Sequence, residues 1–415
     1  MSSLFRKSTL GAATFVLAAA FAQEAAAQSY VVPSVELSSE YHTNRELTPV
    51  PGQADPTTGY IATAQALIGK RTPRSQTELR PRVRFQEYPD RNGVDPLDLF
   101  LDLQSDFRTR ASTYSLLASA SRQDTFNAEF GTAGIDTTGP ETPAGHNDTG
   151  IVFIGNTRTE FRVEPSMDHD ISERTSFGAT VGYDKVNYQD VAVNAREDYS
   201  DVTLETLLKH EIRPLTEIEI GPYVSRYETS QNGNRTDSVG VTLGWNHDVS
   251  EISHTELSTS VERTKIDDPS FSANRETQTS WGAEFKGYRK GRASRLDYGI
   301  GRYLAASGIG SRVERDELRL QYSRKLTPRF DYRGAVRGGT EQRLGFTDNT
   351  RDRNYVRAEF FVRWFMTQTM YISAGYQYSW QKYKNFPNAA DDNTALVRFG
   401  FSGLDIRRSA VRGGR

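Results

Sequence analysis

TELRPRVRFQEY, residues 77–88, alternates strictly from Glu78 to Gln86. Leu79, Pro81, Val83 and Phe85 fall on one parity; Glu78, Arg80, Arg82, Arg84 and Gln86 fall on the other. A period of two belongs to a β-strand, whose side chains point to opposite faces in turn. One face is apolar throughout, and the other must be wet enough to keep three successive guanidinium groups solvated. The next segment, PLDLFLDLQSDF at 96–107, repeats the plan, with Leu97, Leu99, Leu101, Leu103 and Phe107 on one side and Asp98, Asp102 and Asp106 opposite. Antiparallel pairing of the two segments would set those acids among the arginines as a cross-strand charge ladder.

The same unit recurs along the chain. SVELSSEY (34–41), SVGVTLGWN (238–246), MYISAGYQYSWQ (370–381) and TALVRFGFS (394–402) all alternate. Such segments predict about eighteen strands, the sixth of them near 151–164. Their connections take turns between two kinds. TPRSQ, RTRAS, IRPLT, YRKGR, KLTPR and MTQTM are short, whereas 43–58, 124–150, 188–198, 304–312 and others are long. An even strand number with short turns at one end and long loops at the other is the layout of a transmembrane antiparallel β-barrel of the up-and-down kind. Hydrocarbon leaves no water to satisfy backbone amides, so a spanning sheet has to close on itself. A β-sandwich would hide its apolar face in a dry core, and a solenoid or propeller would show a fixed repeat; neither matches this pattern.

Composition agrees. Among 415 residues 36% are hydrophobic and 25% charged, with 20 Tyr, 21 Phe and no Cys. The net charge of −2 argues against nucleic acid as a partner. Aromatic residues cluster near strand ends, as in the belts at a membrane's two water boundaries. Tyr41, Tyr60, Tyr88, Tyr183, Tyr227, Tyr303, Tyr355 and Trp380 are expected at the long-loop side, and Phe107, Tyr114, Phe177, Trp245, Tyr288, Phe330, Tyr371 and Phe401 at the short-turn side.

Residues 1–27 read as a cleaved secretory signal: Arg6 and Lys7, the apolar run LGAATFVLAAAFA, then Ala25–Ala27. The barrel is expected over 28–402, starting too soon after the signal for a plug domain, with a short basic periplasmic tail at 403–415. This places the protein in the outer membrane of a Gram-negative bacterium with both termini periplasmic. Its partners are then outer-membrane lipid and the barrel assembly machinery.

The opening strand VELSSEYHTNREL, the LTPR turn at 326–329 and the unbroken series of strands resemble the beta-barrel porin 2 family of bacterial outer-membrane proteins. The resemblance implies a pore used in exopolysaccharide export, with a glycan and periplasmic export proteins as partners. The alternative is a general or substrate-selective diffusion porin for small solutes. One departure is the continuation SGLDIRRSAVRGGR beyond Phe401, where barrels of this kind end on an aromatic.

No catalytic, cofactor-binding or metal-binding set is read from the sequence. His169, His210, His247 and His254 fall at short-turn ends, His42 and His146 near the outer end, and MDHD at 167–170 reads as a polar turn. Expected pore-lining residues are Glu78, Arg80, Arg82, Arg84, Asp98, Asp102, Asp106 and Arg398. A constriction is expected from the loop 124–150, through Glu129, Asp136, Glu141 and Asp148.

Overall fold

The computed structural model describes residues 28–50, 52, 54–89, 96–125, 157–189, 196–230, 233–267, 275–344 and 352–403. The expected signal, the tail beyond 403, His146 and the four acids of the 124–150 loop lie outside them. All regular elements among the described residues are strands. They are β1 (Gln28–His42), β2 (Thr57–Arg71), β3 (Ser75–Glu87), β4 (Leu97–Arg108), β5 (Ser112–Asp124), β6 (Thr157–Ser172), β7 (Thr175–Gln189), β8 (Tyr199–Arg213) and β9 (Thr216–Thr229). The second half comprises β10 (Arg235–Ser250), β11 (Ser253–Asp267), β12 (Arg275–Lys290), β13 (Ser294–Ala305), β14 (Val313–Thr327), β15 (Phe330–Arg343), β16 (Arg353–Phe365), β17 (Met370–Tyr383) and β18 (Ala390–Ser402). Each strand pairs antiparallel with its chain neighbours, and β1 pairs with β18 from Ser34↔Ser402 to His42↔Thr394. The 18-stranded sheet is therefore a closed barrel. No plug is present among the described residues.

The short turns are built locally. Thr72 donates its backbone N–H to the Ser75 carbonyl (2.7 Å) while its hydroxyl accepts from the Ser75 N–H (2.9 Å). Thr109 and Ser112 repeat both bonds, and the Thr327 hydroxyl accepts from the Phe330 N–H (3.1 Å). A hydroxyl at the first turn position thus closes the hairpin without help from elsewhere. Prolines inside strands leave local marks. Opposite Pro81, Pro165 and Pro222 the ladder to one neighbour skips, because proline has no N–H to offer.

The faces separate as alternation requires. Leu37, Leu101, Val241, Val261 and Ile300 are exposed on the outside. The outward apolar band ends, toward the long loops, at ion pairs on the same outward parity: Arg226–Asp237 (2.8 Å) and Arg302–Asp316 (2.6 Å). Toward the short turns it reaches Leu215, Ile252 and Leu326. Lipid is the solvent that makes such a surface stable.

Two expectations change. The sixth strand, expected at 151–164, continues to Ser172 rather than ending at 164, and MDHD lies within it. Met167 keeps the outward parity and Asp168 and Asp170 the inward one, so alternation continues and the turn shrinks to Glu173–Arg174. The aromatic belts are also thinner than expected. Tyr41, Tyr60, Phe107, Tyr114, Trp245, Phe330 and Phe401 are exposed outside, but Tyr88, Tyr227, Tyr355 and Tyr371 are buried within the lumen. Tyr303 and Tyr288 share that inward parity. Closeness to a strand end does not tell an interfacial tyrosine from an inward one; parity does.

Candidate pore lining and constriction

The expected lining residues of β3 and β4 all occupy the inward parity. Their register sets Arg84 opposite Asp98 and Arg80 opposite Asp102. Arg84 Nη2 lies 2.5 Å from Asp98 Oδ2, and Asp98 is fully buried. The ladder is interrupted at its centre. Arg82 faces Phe100, an apolar residue on the polar parity, and its guanidinium sits 4.0 Å from the ring centroid. Asp106 faces Gln76 and accepts from the Ser115 hydroxyl (2.7 Å). Glu78 accepts from the Tyr30 hydroxyl (2.6 Å). Arg398 stands near Glu36 (3.8 Å) and over the Phe361 ring (4.9 Å).

A larger basic surface lies on β14–β16. Arg319, Arg337 and Arg357 are direct cross-strand neighbours, three like charges in one row. Such a row repels itself unless carboxylates are interleaved. Glu317 supplies one, pairing with Arg319 and with Arg337 (2.6 Å) while accepting from the Tyr355 hydroxyl (2.5 Å). Glu359 pairs with Arg357 (3.0 Å). Two inward rows nearer the long loops, Glu341 bridges Arg315 (2.6 Å) and Arg353 (2.7 Å). Toward the short turns, Arg363 pairs with Asp331 (2.7 Å). None of the expected lining residues lies on β14–β16; the nearest, Arg398, is on β18. The signal was available in RNYVRAEFFVRWF (353–365), where Arg353, Arg357, Glu359 and Arg363 share one parity.

The sector from β8 to β13 is built differently. Its inward positions include Thr203, Glu205, Tyr223, Thr242, Ser258, Ser260 and Glu284, rich in hydroxyls and acids, with Arg295 near the short turns paired to Asp297 (2.7 Å). Lys286, also inward, is held by Glu256 (2.8 Å) and Glu284 (3.5 Å).

The connection between β13 and β14 crosses this lumen. The Tyr227 hydroxyl of β9 donates to the Ser307 carbonyl (2.6 Å), and Glu197 N–H donates to the Gly308 carbonyl (2.9 Å). Asn234 Nδ2 donates to the Gly310 carbonyl (3.1 Å). Arg312 donates to Ser225 Oγ (2.9 Å) and pairs with Asp201 of β8. Strands β9 and β13 are four places apart in the sheet, roughly 19 Å along the wall at about 4.8 Å per strand. These bonds therefore run through the barrel interior. An apolar cluster of Val186, Tyr188, Tyr199 and Tyr227 packs against Ala306, and Gly310 takes a left-handed φ of 89° where the segment turns back. Tyr227 and Ser307 are fully buried. The segment the structure carries across the lumen is 306–312; the acids of the expected constriction loop 124–150 lie outside the described residues. Its sequence, ASGIGSR, carries no acid and gave no hint of reaching across.

The four rim histidines are held apart. His169 bonds Ser112 (2.9 Å), His210 bonds Thr175 (3.0 Å), His247 bonds Thr216 (3.0 Å) and His254 bonds Asp248 (2.8 Å), each within its own hairpin. His42 instead sits at the seam of β1 and β18, with Asp392 2.7 Å from Nδ1 and Glu40 3.0 Å from Nε2. Among the described residues, no three His, Asp or Glu side chains are grouped so as to hold a metal ion.

No family model matches the sequence, and no curated protein does; kinship with the beta-barrel porin 2 family stays a resemblance. Solved structures of similar shape include OccK2 (OpdF) of Pseudomonas aeruginosa, at 9% identity and a TM-score of 0.47, covering 91% of this chain and 98% of that one. OpdK of Pseudomonas aeruginosa, solved with vanillate, gives 10% and 0.45 over 90% and 98%. OccAB3 of Acinetobacter baumannii gives 9% and 0.42 over 90% and 99%.

Proposed function

We propose that this protein is an outer-membrane diffusion pore for small polar solutes, a channel rather than an enzyme. Its short turns and both termini are periplasmic, and its long loops face outward. The observation that carries this reading is the 306–312 segment anchored across the lumen on Asp201 of β8 and Ser225 and Tyr227 of β9. A pore narrowed by a bonded internal segment suits solutes that pass singly. It suits a bulky exopolysaccharide poorly, since export of a polymer would require breaking those bonds or threading beside them. Arg80, Arg82, Arg84 and Arg398, with Glu78, Asp98, Asp102 and Asp106, act in this reading as part of the charged lining that selects among solutes.

Removing residues 307–310 tests the reading directly. In planar bilayers the shortened protein should conduct more per channel than the intact one. In liposome-swelling assays it should admit larger sugars. A folded variant with unchanged conductance and unchanged size limit would reject the constriction. A deletion strain that stops secreting polysaccharide would restore the export reading.

A further inference from the structure

A cavity of about 270 Å³ opens in the β8–β13 sector, lined by Thr203, Glu205, Tyr223, Ser258, Ser260 and Glu284 among others. It adjoins the constriction. Tyr223 is the inward neighbour of Ser225, to which Arg312 is bonded, and Tyr303, also in the lining, packs with Ala305, Ile309 and Val313. A solute that clears segment 306–312 therefore meets this recess next. Gly282 forms part of its surface, and a Cβ there would stand 2.6 Å from Ser260 Oγ, so the glycine keeps the recess open.

The chemistry of the lining discriminates. Two carboxylates, Glu205 and Glu284, against the one ammonium of Lys286 beside Glu284 (3.5 Å), disfavour an anion. Arg302 touches the cavity, but its guanidinium is turned to Asp316 on the outer surface (2.6 Å). Hydroxyls both donate and accept, and carboxylates accept from two adjacent donors at once. Vicinal hydroxyls on a ring present that mixture, and a tyrosine face packs against the ring's C–H side. The volume falls just below the roughly 300–1,000 Å³ usual for ligand pockets. It suits one sugar ring and excludes a polymer.

We propose that this recess is a subsite for a neutral monosaccharide-sized polyol, entered directly below the constriction. The inference deepens the diffusion-pore reading and rests on it for its role in transport, though binding itself does not require conduction. The test uses the full-length protein, glucose as the neutral probe, and spermidine and glucuronate as charged ones. Glucose should interrupt the ion current of single channels in a concentration-dependent way. It should also bind the detergent-solubilised protein in saturation-transfer NMR. Glu205→Gln combined with Glu284→Gln should weaken both signals about tenfold, with the heat-dependent gel shift of the folded barrel retained. Tyr223→Phe should keep most of the binding and Tyr223→Ala should lose it. Preference for spermidine or glucuronate over glucose would overturn the inference, as would glucose binding that the double variant leaves intact. Glucose binding in detergent by a protein that never conducts would sink the pore reading while leaving the subsite in place. Conduction without any glucose binding would do the reverse.

Discussion

The β14–β16 wall and the β8–β13 wall of one lumen solve the problem of inward polarity in opposite ways. On β14–β16, three arginines stand in a row and are made tolerable by Glu317 and Glu359, both almost wholly buried, while Glu341 joins Arg315 and Arg353 above them. On β8–β13, hydroxyls and acids line an open recess with few committed pairs. The first wall is a network in which each charge depends on its neighbours. The second is a more open surface, where Glu284 shares Lys286 with Glu256 and the remaining hydroxyls can exchange partners with a solute. Burial makes the difference, because a charge withdrawn from water must keep its counter-charge, whereas an exposed hydroxyl loses little when its partner leaves.

The contrast breaks first, and hardest, at Glu341. Glu341→Leu leaves Arg315 and Arg353, both almost fully buried, without the carboxylate that joins them. Removing one member of a buried pair costs about 3–5 kcal/mol. Urea unfolding followed by the gel shift should register this loss, while Ser258→Ala in the other wall should stay within about 0.5 kcal/mol. Equal effects from the two substitutions would erase the distinction between the walls.

Both walls presuppose that inside and outside have been assigned correctly, and the β3–β4 hairpin tests that on two sides. Leu101 is exposed on the outward face. Leu101→Arg should cost roughly 2–4 kcal/mol if it lies near the bilayer midplane. Arg82→Glu faces the wet lumen between Arg80 and Arg84, and should alter stability by about 0–1 kcal/mol while shifting ion selectivity toward cations. An unfolded Arg82→Glu beside a tolerated Leu101→Arg would mean the faces are reversed.

The finest test compares the walls electrically. Arg319, about a third exposed, is the most solvent-accessible member of the arginine row. Arg319→Ala should lower anion preference, read as a reversal-potential change in a salt gradient, and Glu205→Ala should move it the opposite way. Both changes should fade as ionic strength rises and screening shortens the reach of each charge, to about 3 Å at 1 M. Shifts of the same sign would show that the walls do not act as opposed fields.

Most of the fold was legible in the alternation itself. TELRPRVRFQEY and its repeats specify which side chains share a face, and the hydroxyl-closed turns at Thr72 and Thr109 specify where the chain reverses. Both properties are local, set by the pleat and by bonds spanning three residues, so the strand series and the inward placement of Arg80, Arg82 and Arg84 needed no knowledge of the rest. Cross-strand register was not local. It put Phe100 opposite Arg82 and split the expected ladder, and it aligned Arg319, Arg337 and Arg357 from strands whose sequences give no common signal. The constriction was more distant still. ASGIGSR reads as an ordinary loop, and only barrel closure brings Ser307 and Arg312 against Tyr227 and Ser225, about eighty positions earlier in the chain. A period of two dictates which way a side chain points, but what it meets there depends on how eighteen strands close into a ring.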